Sequence, residues 1–464
     1  MFKNKIIVLY IVVFSIVVFL PSLSSVCYLI VIAANFITIY THNDRELPII
    51  STIILGTEVY SILNIFICII ALAINEELQF EKNTEHSKKL CICGTLLVGI
   101  SLYNAINNSA VWNLLFYLLY LLILILCYKA IQNKLDYCYS IDSVKSLLYL
   151  EFIITCERII KYHILTPGDW CVGTLGNAHY FGNWIIMSLI FLYSCIKNNK
   201  KNAMSCFSLL DIFLIPTSLI MLYLSDAKAI LVSFVLALVL YLFIEIITVK
   251  SSNAIFFTII GMYAAVYIGL WVISLPSVKS LIIDKSPNVY PYLYTSGWNG
   301  RVNFASSTLF DSLKGIRLLT GYGLGQYGSR VSNAFAYDVM FRNDSSINNF
   351  IASNFQPSHV DKFANLVSYY NDDFVSTIQW RSAVLSYPFS SFIALIAETG
   401  IIGVIFASVW LNKMLKNAES RFAIIYFLSV CIFDLYFDNF QCVFAVIIYA
   451  FVIKAKRTVN EYDT

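Results

Sequence analysis

The sequence predicts an all-α polytopic membrane protein with one large polar loop. Hydrophobic residues make up 59% of the chain and charged residues only 13%, whereas a soluble domain carries about 25% charge. Apolar runs recur at the length of about 20 residues that crosses a bilayer as a helix. One long polar stretch, residues 276–388, interrupts them. We therefore predict an N-terminal membrane bundle (1–275), a loop (276–388) and C-terminal membrane helices (389–464).

The first apolar run, residues 6–40, is interrupted at Pro21 and is either one long tilted helix or two short spans. It contains 35 residues, and a single helix of that length would measure about 52 Å, against a bilayer core of about 30 Å. The total is 12 spans if this run crosses once and 13 if it crosses twice. The other predicted spans are 48–74, 90–106, 111–128, 147–164, 181–196, 207–224, 229–247, 254–275, 392–411, 422–437 and 442–453.

Lysine and arginine in the short loops predict the orientation, since these residues are retained on the cytoplasmic side. The relevant loop residues are Lys82, Lys88, Lys89, Lys129, Lys134, Lys145, Lys197, Lys200, Lys201, Lys413 and Lys416. Placing them inside puts the loop 276–388 and the connection 166–179 outside. The N-terminal Lys3 and Lys5 then lie inside only if residues 6–40 cross once, which conflicts with the length of that run.

The large loop has the composition of a folded segment. Apolar positions in 301–314 follow helical spacing, so we predict an amphipathic helix there with Gly315 at its C-terminal cap. Residues 316–319 are predicted to be extended, and the glycines of 321–325 to form a turn-rich return. A second helix is predicted near 360–370. Aromatic residues such as Trp298 and Tyr322 either anchor the loop at the headgroups or stack on sugars, and both roles remain open.

Arginines are the loop's most informative polar residues. The loop holds five arginines, seven aspartates and no glutamate. The guanidinium group binds phosphate oxygens in pairs and keeps its charge, so a loop at the membrane surface with several arginines could hold a lipid diphosphate. Arg301 is the strongest candidate because it begins the predicted helix. The remaining predicted phosphate- or substrate-binding residues of the loop are Arg317, Arg330, His359 and Arg381.

Charged residues within or beside spans are functional candidates, because an unpaired charge there costs several kcal/mol. Lys228 follows Ser225 and Asp226 at a break between two spans. Glu157 and Arg158 lie near the outer end of their span, and Glu398 lies about one turn into the span after the loop. Three residues are open alternatives for a proton acceptor: Glu398, His359 and His179.

Other site chemistries find no support. The net charge of +3 is small and gives no reason to expect nucleic acid. The cysteines lie mostly within spans, which argues against a disulfide framework or a metal cluster. The run GYGLG lacks the strand and helix of a dinucleotide fold. We therefore expect no metal and no cofactor.

Three stretches resemble the O-antigen polymerase and ligase superfamily. The first is LSDAKAILVSFVLALVLYL at 224–242, where Lys228 stands at the position of a family arginine. The second is GR, a helix and GYGLGQYGS, which places another family arginine at Arg301. The third, FSSFIALIAETGIIGVIF, matches the family's E-T-G-x-x-G block at Glu398, Thr399, Gly400 and Gly403.

The resemblance implies a metal-independent glycosyltransferase of the bacterial inner membrane with a GT-C-like fold and a periplasmic loop. Its donor would be an undecaprenyl-diphosphate-linked oligosaccharide, and its expected partner would be a chain-length regulator of the same pathway. The implied catalytic residues are Arg301, Lys228 and Glu398, with Arg158 among the substrate-binding residues. Phe389 stands where the ligases have histidine, which favours polymerase over ligase. A transporter or flippase is the third alternative.

Overall fold

The computed structural model describes residues 2–41, 44–75, 87–107, 111–132, 134–168, 170–198, 208–248, 314–327, 390–417, 420–433, 436–437 and 439–453. Within these ranges the chain is helical and has no strand, as the sequence predicts. Four helices in this part are long and apolar enough to cross a membrane, namely Pro21–Tyr40, Val111–Ile131, Ala178–Lys197 and Ser391–Leu411. The predicted span 254–275 and most of the loop 276–388 lie outside the described residues.

The α-helices are numbered in chain order. They are α1 (Phe2–Phe19), α2 (Ser24–Tyr40), α3 (Glu46–Ile50), α4 (Glu58–Ile74), α5 (Ser87–Asn107), α6 (Val111–Ile131), α7 (Tyr137–Tyr162), α8 (Ala178–Asn198), α9 (Leu214–Leu224), α10 (Lys228–Thr248), α11 (Arg317–Thr320), α12 (Ser391–Asn417), α13 (Arg421–Phe433) and α14 (Phe440–Ile447). Short 3-10 turns occupy Pro21–Leu23, Ser51–Ile54 and Leu209–Phe213, and a π-helical turn, Ile448–Val452, extends α14.

Residues 6–40 form a helical hairpin, so the alternative of one long helix is wrong. α1 ends before Pro21, which starts the 3-10 turn because its ring fixes φ and removes a backbone donor. The Tyr10 hydroxyl of α1 hydrogen-bonds to the Asn35 amide oxygen of α2. That contact requires α2 to fold back alongside α1.

The prediction of one continuous span over 48–74 is also wrong. α3 gives way to the 3-10 turn and then to Gly56, and α4 starts only at Glu58. Gly56 has φ +32°, and the Tyr28 ring occupies the space that a Cβ would need. A side chain at this position would therefore meet both backbone strain and a collision.

The broken segment 44–57 crosses the bundle from one end to the other. α2 and α4 run parallel, because the Asn35 amide donates to Asn64 Oδ1 (2.8 Å) and the Asn75 amide to Ile39 O (2.9 Å). The connection between two parallel helices must run back from one end of the bundle to the other, and residues 46–55 are buried, so this connection passes through the interior. The N-terminal hairpin crosses the bundle twice where the sequence allowed one crossing, and residues 44–74 also cross it twice where one span was predicted. The two extra crossings cancel in direction, so the start of α1 lies at the same end as Lys145. This resolves the conflict over Lys3 and Lys5.

A buried polar cluster, consisting of Tyr10, Asn35, Ser51, Thr52 and Asn64, surrounds the broken segment. The Asn64 amide donates to Pro48 O (3.1 Å) and Thr52 Oγ1 (2.8 Å), and Ser51 Oγ also donates to Pro48 O (2.8 Å). Backbone groups freed by a helix break inside a bundle need such partners. Asn64, which accepts a hydrogen bond from Asn35, therefore makes the break compatible with burial.

The two ends of the bundle differ in chemistry. At one end, Lys145 pairs with Asp211 (3.0 Å) and Lys197 with Glu245 (3.1 Å). The opposite end, here called the loop end, carries the connection 163–177, the turn 225–227 and Tyr436. Helix direction alternates consistently with this assignment. For example, α10 and α13 run antiparallel, and Tyr241 near the end of α10 stacks on Phe422 near the start of α13 (4.6 Å).

Candidate functional site

The described part of the large loop, residues 314–327, docks against α12 at the loop end. Tyr322 N donates to Ala397 O (2.8 Å) and Gly323 N donates to Glu398 O (2.8 Å). α12 is interrupted at Gly400, whose φ is +61°. The two predicted motifs, GYGLG and ETG, are thus in direct backbone contact.

Glycine is required on both sides of this contact. A Cβ on Gly400 would lie 2.5 Å from Leu319 C and 2.7 Å from Gly321 N. A Cβ on Gly321 (φ +64°) would overlap the carbonyl of Glu398. Positive φ and close backbone approach are the two conditions that only glycine meets without strain.

The Glu398 carboxylate fixes the glycine-rich turn. Oε2 accepts from Gly325 N (2.9 Å) and Oε1 from Tyr327 N (2.9 Å), with the residue only 2% exposed. Hydrogen bonds to an ionised acceptor are roughly twice as strong as neutral ones. This geometry gives Glu398 a positioning role, and its predicted role in proton transfer stays a prediction.

α5 and α6 enclose the other side of the turn. The Asn104 amide donates to Gly321 O (3.2 Å), and the buried Asn113 amide donates to Gly325 O (2.8 Å). Leu324 packs with Leu114 between these helices. The glycine-rich turn is consequently held on three sides, by α5, α6 and α12.

Arg317 of α11 packs against Tyr322 of the glycine-rich turn. The Arg317 guanidinium carbon is 4.4 Å from the centre of the Tyr322 ring, and Nη1 donates to the Tyr322 hydroxyl (3.1 Å). Tyr322 also stacks on Tyr327 (4.6 Å) and is 7% exposed. The tyrosine is therefore enclosed in this conformation, and the exposed Arg317 is the group that faces outward. Residues 317–320 form one helical turn, so the extended conformation predicted for 316–319 is wrong.

Arg158 lies on α7, near its end at the connection 163–177. Nη2 donates to Gly173 O (3.0 Å), while Nε is buried without a hydrogen-bond partner among the described residues. The neighbouring Glu157 turns to α1, where it accepts from Ser15 Oγ (2.6 Å). Within the described chain no carboxylate forms an ion pair with Arg158.

Glu151 and Thr174 form a buried pair that the sequence analysis did not single out. Thr174 N donates to Glu151 Oε2 (2.9 Å), and Thr174 Oγ1 lies within hydrogen-bond distance of Glu151 Oε1 and of Ile54 O (2.7 Å). Glu151 is 0% exposed. A carboxyl inside the apolar run of α7 is a functional candidate by the rule applied to Glu398. The sequence alone could therefore have identified Glu151.

The predicted break before Lys228 is confirmed, since α9 ends at Leu224 and α10 begins at Lys228. Asp226 in this turn has φ +49°. Gly168 N donates to Leu224 O (3.0 Å), which joins the turn to the connection 163–177. His179, in the first turn of α8, has a buried Nδ1 without a partner among the described residues.

The remaining predicted site residues lie outside the described residues: Arg301, Trp298, Arg330, His359 and Arg381. Of those described, Arg158, Lys228, Arg317, Tyr322 and Glu398 all belong to elements at the loop end. The described residues contain no group of three or more His, Cys, Asp or Glu side chains arranged to hold a metal ion.

Comparisons with known proteins gave no match to any family model, any curated protein or any solved structure. The resemblance to the O-antigen polymerase and ligase superfamily therefore stays a prediction, based on the three sequence stretches alone.

Proposed function

We propose that this chain is a membrane-embedded glycosyltransferase of the O-antigen polymerase type. It would join undecaprenyl-diphosphate-linked oligosaccharide units at the extracytoplasmic face of the bacterial inner membrane. The observation that carries this proposal is the backbone contact between the glycine-rich turn 321–327 and Glu398–Gly400. These two stretches were selected separately from the sequence as family-like motifs, and they form one substructure.

The chemistry of the loop end supports the proposal. Displacing a lipid diphosphate requires cations where negative charge develops on the leaving group. Arg317 is exposed on α11, just before the glycine-rich turn, and Arg158 has no carboxylate partner within the described chain. Arg301 and Lys228 are the cations proposed to stabilise the charge on the leaving diphosphate. The apolar outer faces of the helices suit the isoprenoid chain of the donor.

Deletion of the gene in its own host provides the test. Loss of a polymerase leaves single repeat units on the lipid A-core, and the native chain restores a ladder of longer polymers. Arg301→Ala should abolish the ladder at normal protein abundance, since removing one preorganised donor costs about 10²- to 10³-fold in rate. Arg301→Lys should restore it poorly, because a point charge lacks the paired fork. Bare core with stranded lipid-linked polymer would instead identify a ligase.

A transporter or flippase is the second candidate, and one observation favours it. The broken segment 44–57 crosses the bundle interior, and helices interrupted near the bilayer midplane are typical of transporters. Repeats trapped on the inner leaflet after gene deletion would support this alternative and refute the polymerase.

A further inference from the structure

The Thr174 hydroxyl has one hydrogen but two oxygen atoms of other residues within hydrogen-bond distance. Its oxygen lies 2.7 Å from Ile54 O and also within hydrogen-bond distance of Glu151 Oε1. A hydroxyl has one hydrogen, and a backbone carbonyl can only accept. If Thr174 donates to Ile54 O, then the hydrogen between Thr174 and Glu151 must belong to the carboxyl group.

The surroundings of Glu151 agree with a neutral acid. The residue is fully buried, and burying an isolated ionised carboxylate is far more costly than burying its neutral form. Its other oxygen accepts from Thr174 N (2.9 Å). No Lys or Arg forms an ion pair with it in the described part of the chain, and Arg158 donates instead to Gly173 O.

We propose that Glu151 is held as a protonated carboxylic acid, and that it anchors the Gly173–Thr174 turn and thereby positions the Arg158 guanidinium. In this arrangement Glu151 Oε1–H donates to Thr174 Oγ1, and Thr174 Oγ1–H donates to Ile54 O. The turn is thus joined to α7 and to the broken segment 44–57. A Cβ on Gly173 would overlap Glu151 Oε2 and the Phe181 ring, so the backbone here fits tightly against the acid.

The protonated state has a consequence for ligand binding, which rests on the proposed function. A neutral Glu151 leaves the positive charge of Arg158 uncompensated by that carboxyl, and Gly173 O fixes the direction of the guanidinium. The ligand expected at Arg158 is a phosphate group, and the proposed function supplies it on a polyprenyl diphosphate rather than as a free inorganic anion.

The Glu151→Gln variant tests whether Glu151 is protonated or ionised. The glutamine amide donates to Thr174 Oγ1 and accepts from Thr174 N, as the protonated acid does. Glu151→Gln should therefore leave amide hydrogen exchange of residues 170–177 within about twofold of the native chain. Glu151→Leu should raise it about 5- to 150-fold, the equivalent of one buried polar group left unpaired. Thr174→Ser should behave like Glu151→Gln, and Thr174→Val like Glu151→Leu.

An infrared difference spectrum of the native chain against Glu151→Gln gives a direct measurement. The carbonyl stretch of a protonated carboxyl should disappear in the variant. Loss of a carboxylate band, or equal disruption of residues 170–177 by Gln and Leu, would overturn the proposal.

Binding of a short polyprenyl diphosphate to the detergent-solubilised full chain tests the link to Arg158. Affinity should fall at least tenfold in Arg158→Gln, Thr174→Val and Glu151→Leu, but not in Glu151→Gln or in the control Arg421→Gln at the other end. Inorganic pyrophosphate should bind more weakly, and equal binding would point to a free anion as the ligand. Absence of binding by the native chain would refute the proposed function, while exchange and infrared results would still decide the state of Glu151. Unchanged binding by Thr174→Val would overturn the positioning of Arg158.

Discussion

Replacement of Glu398 by glutamine tests whether this carboxylate holds the glycine-rich turn. In the native chain its two oxygens accept from Gly325 N and Tyr327 N, both at 2.9 Å. Glutamine keeps one acceptor oxygen and presents an NH₂ group to the other backbone N–H. One buried donor is then unpaired, at a cost of about 1–3 kcal/mol.

That cost should appear as local opening of the turn. If the turn opens independently of the bundle, about 1–3 kcal/mol corresponds to a roughly 5- to 150-fold larger open population. Hydrogen exchange measured by mass spectrometry on peptides covering 321–327 should accelerate by that factor. Peptides from α7 should exchange at native rates, because the Glu398 carboxylate lies on α12 and its two oxygens accept from the glycine-rich turn.

Ser408→Ala is the matched control in the same helix. Ser408 is exposed, and its hydroxyl only donates to Val404 O one turn earlier, so exchange in 321–327 should be unchanged. Native exchange rates in Glu398→Gln would refute the positioning role. Loss of polymer without faster exchange would instead return Glu398 to the role of a proton acceptor.

Three further changes test the fold. Gly400→Ala should destabilise the contact with the glycine-rich turn by more than the roughly 1–3 kcal/mol of its backbone conformation (φ +61°, ψ −162°), which is essentially restricted to glycine, since its Cβ would also meet Leu319 C at 2.5 Å. Asn64→Ala should lower the thermal unfolding temperature, because each polar group left unpaired costs about 1–3 kcal/mol. Cysteines introduced at Leu165 (72% exposed) and Tyr139 (62% exposed) should react with an impermeant maleimide from opposite sides of the membrane, Leu165→Cys from outside.

Controls and contrary outcomes are available for each. Gly99→Ala, at an exposed helical position where a Cβ meets nothing within 4 Å, should stabilise by up to about 1 kcal/mol. Equal effects of Gly400→Ala and Gly99→Ala on stability would refute the packing argument at Gly400. An unaltered unfolding temperature in Asn64→Ala would show that the polar cluster does not support the broken segment. Labelling of both cysteines from the same side would refute the orientation.

Hydrophobic patterning was sufficient to predict the fold class. Long apolar runs at membrane length can only satisfy their backbone as helices, and the described residues are helical throughout their regular structure. The break at Ser225–Ala227 was also predictable, because it is polar and interrupts an apolar run. Glycine positions likewise predicted the turn at 321–325, since positive φ there is a local property of the chain.

The sequence did not predict the helix breaks inside apolar runs. Residues 48–74 have no charge except Glu58, so hydropathy treats them as one span. The break depends on partners far along the chain: Asn35 and Tyr10 from the N-terminal hairpin and Thr174 from the connection after α7. Thr174 reaches the freed carbonyl of Ile54, and Asn35 and Tyr10 hydrogen-bond to the Ser51 side chain. Only the folded arrangement brings these groups to the break.

The sequence by itself determined that the chain is helical, that its polar mass lies in one loop, and that GYGLG and ETG are unusual stretches. Their contact was decided by the tertiary structure, because Gly321 and Gly400 are separated by many residues and meet only through backbone approach. The same holds for Glu151, whose state depends on how many acceptors surround one threonine hydroxyl. Patterns along a chain record local preference and burial, whereas hydrogen-bond partners across helices are set by packing.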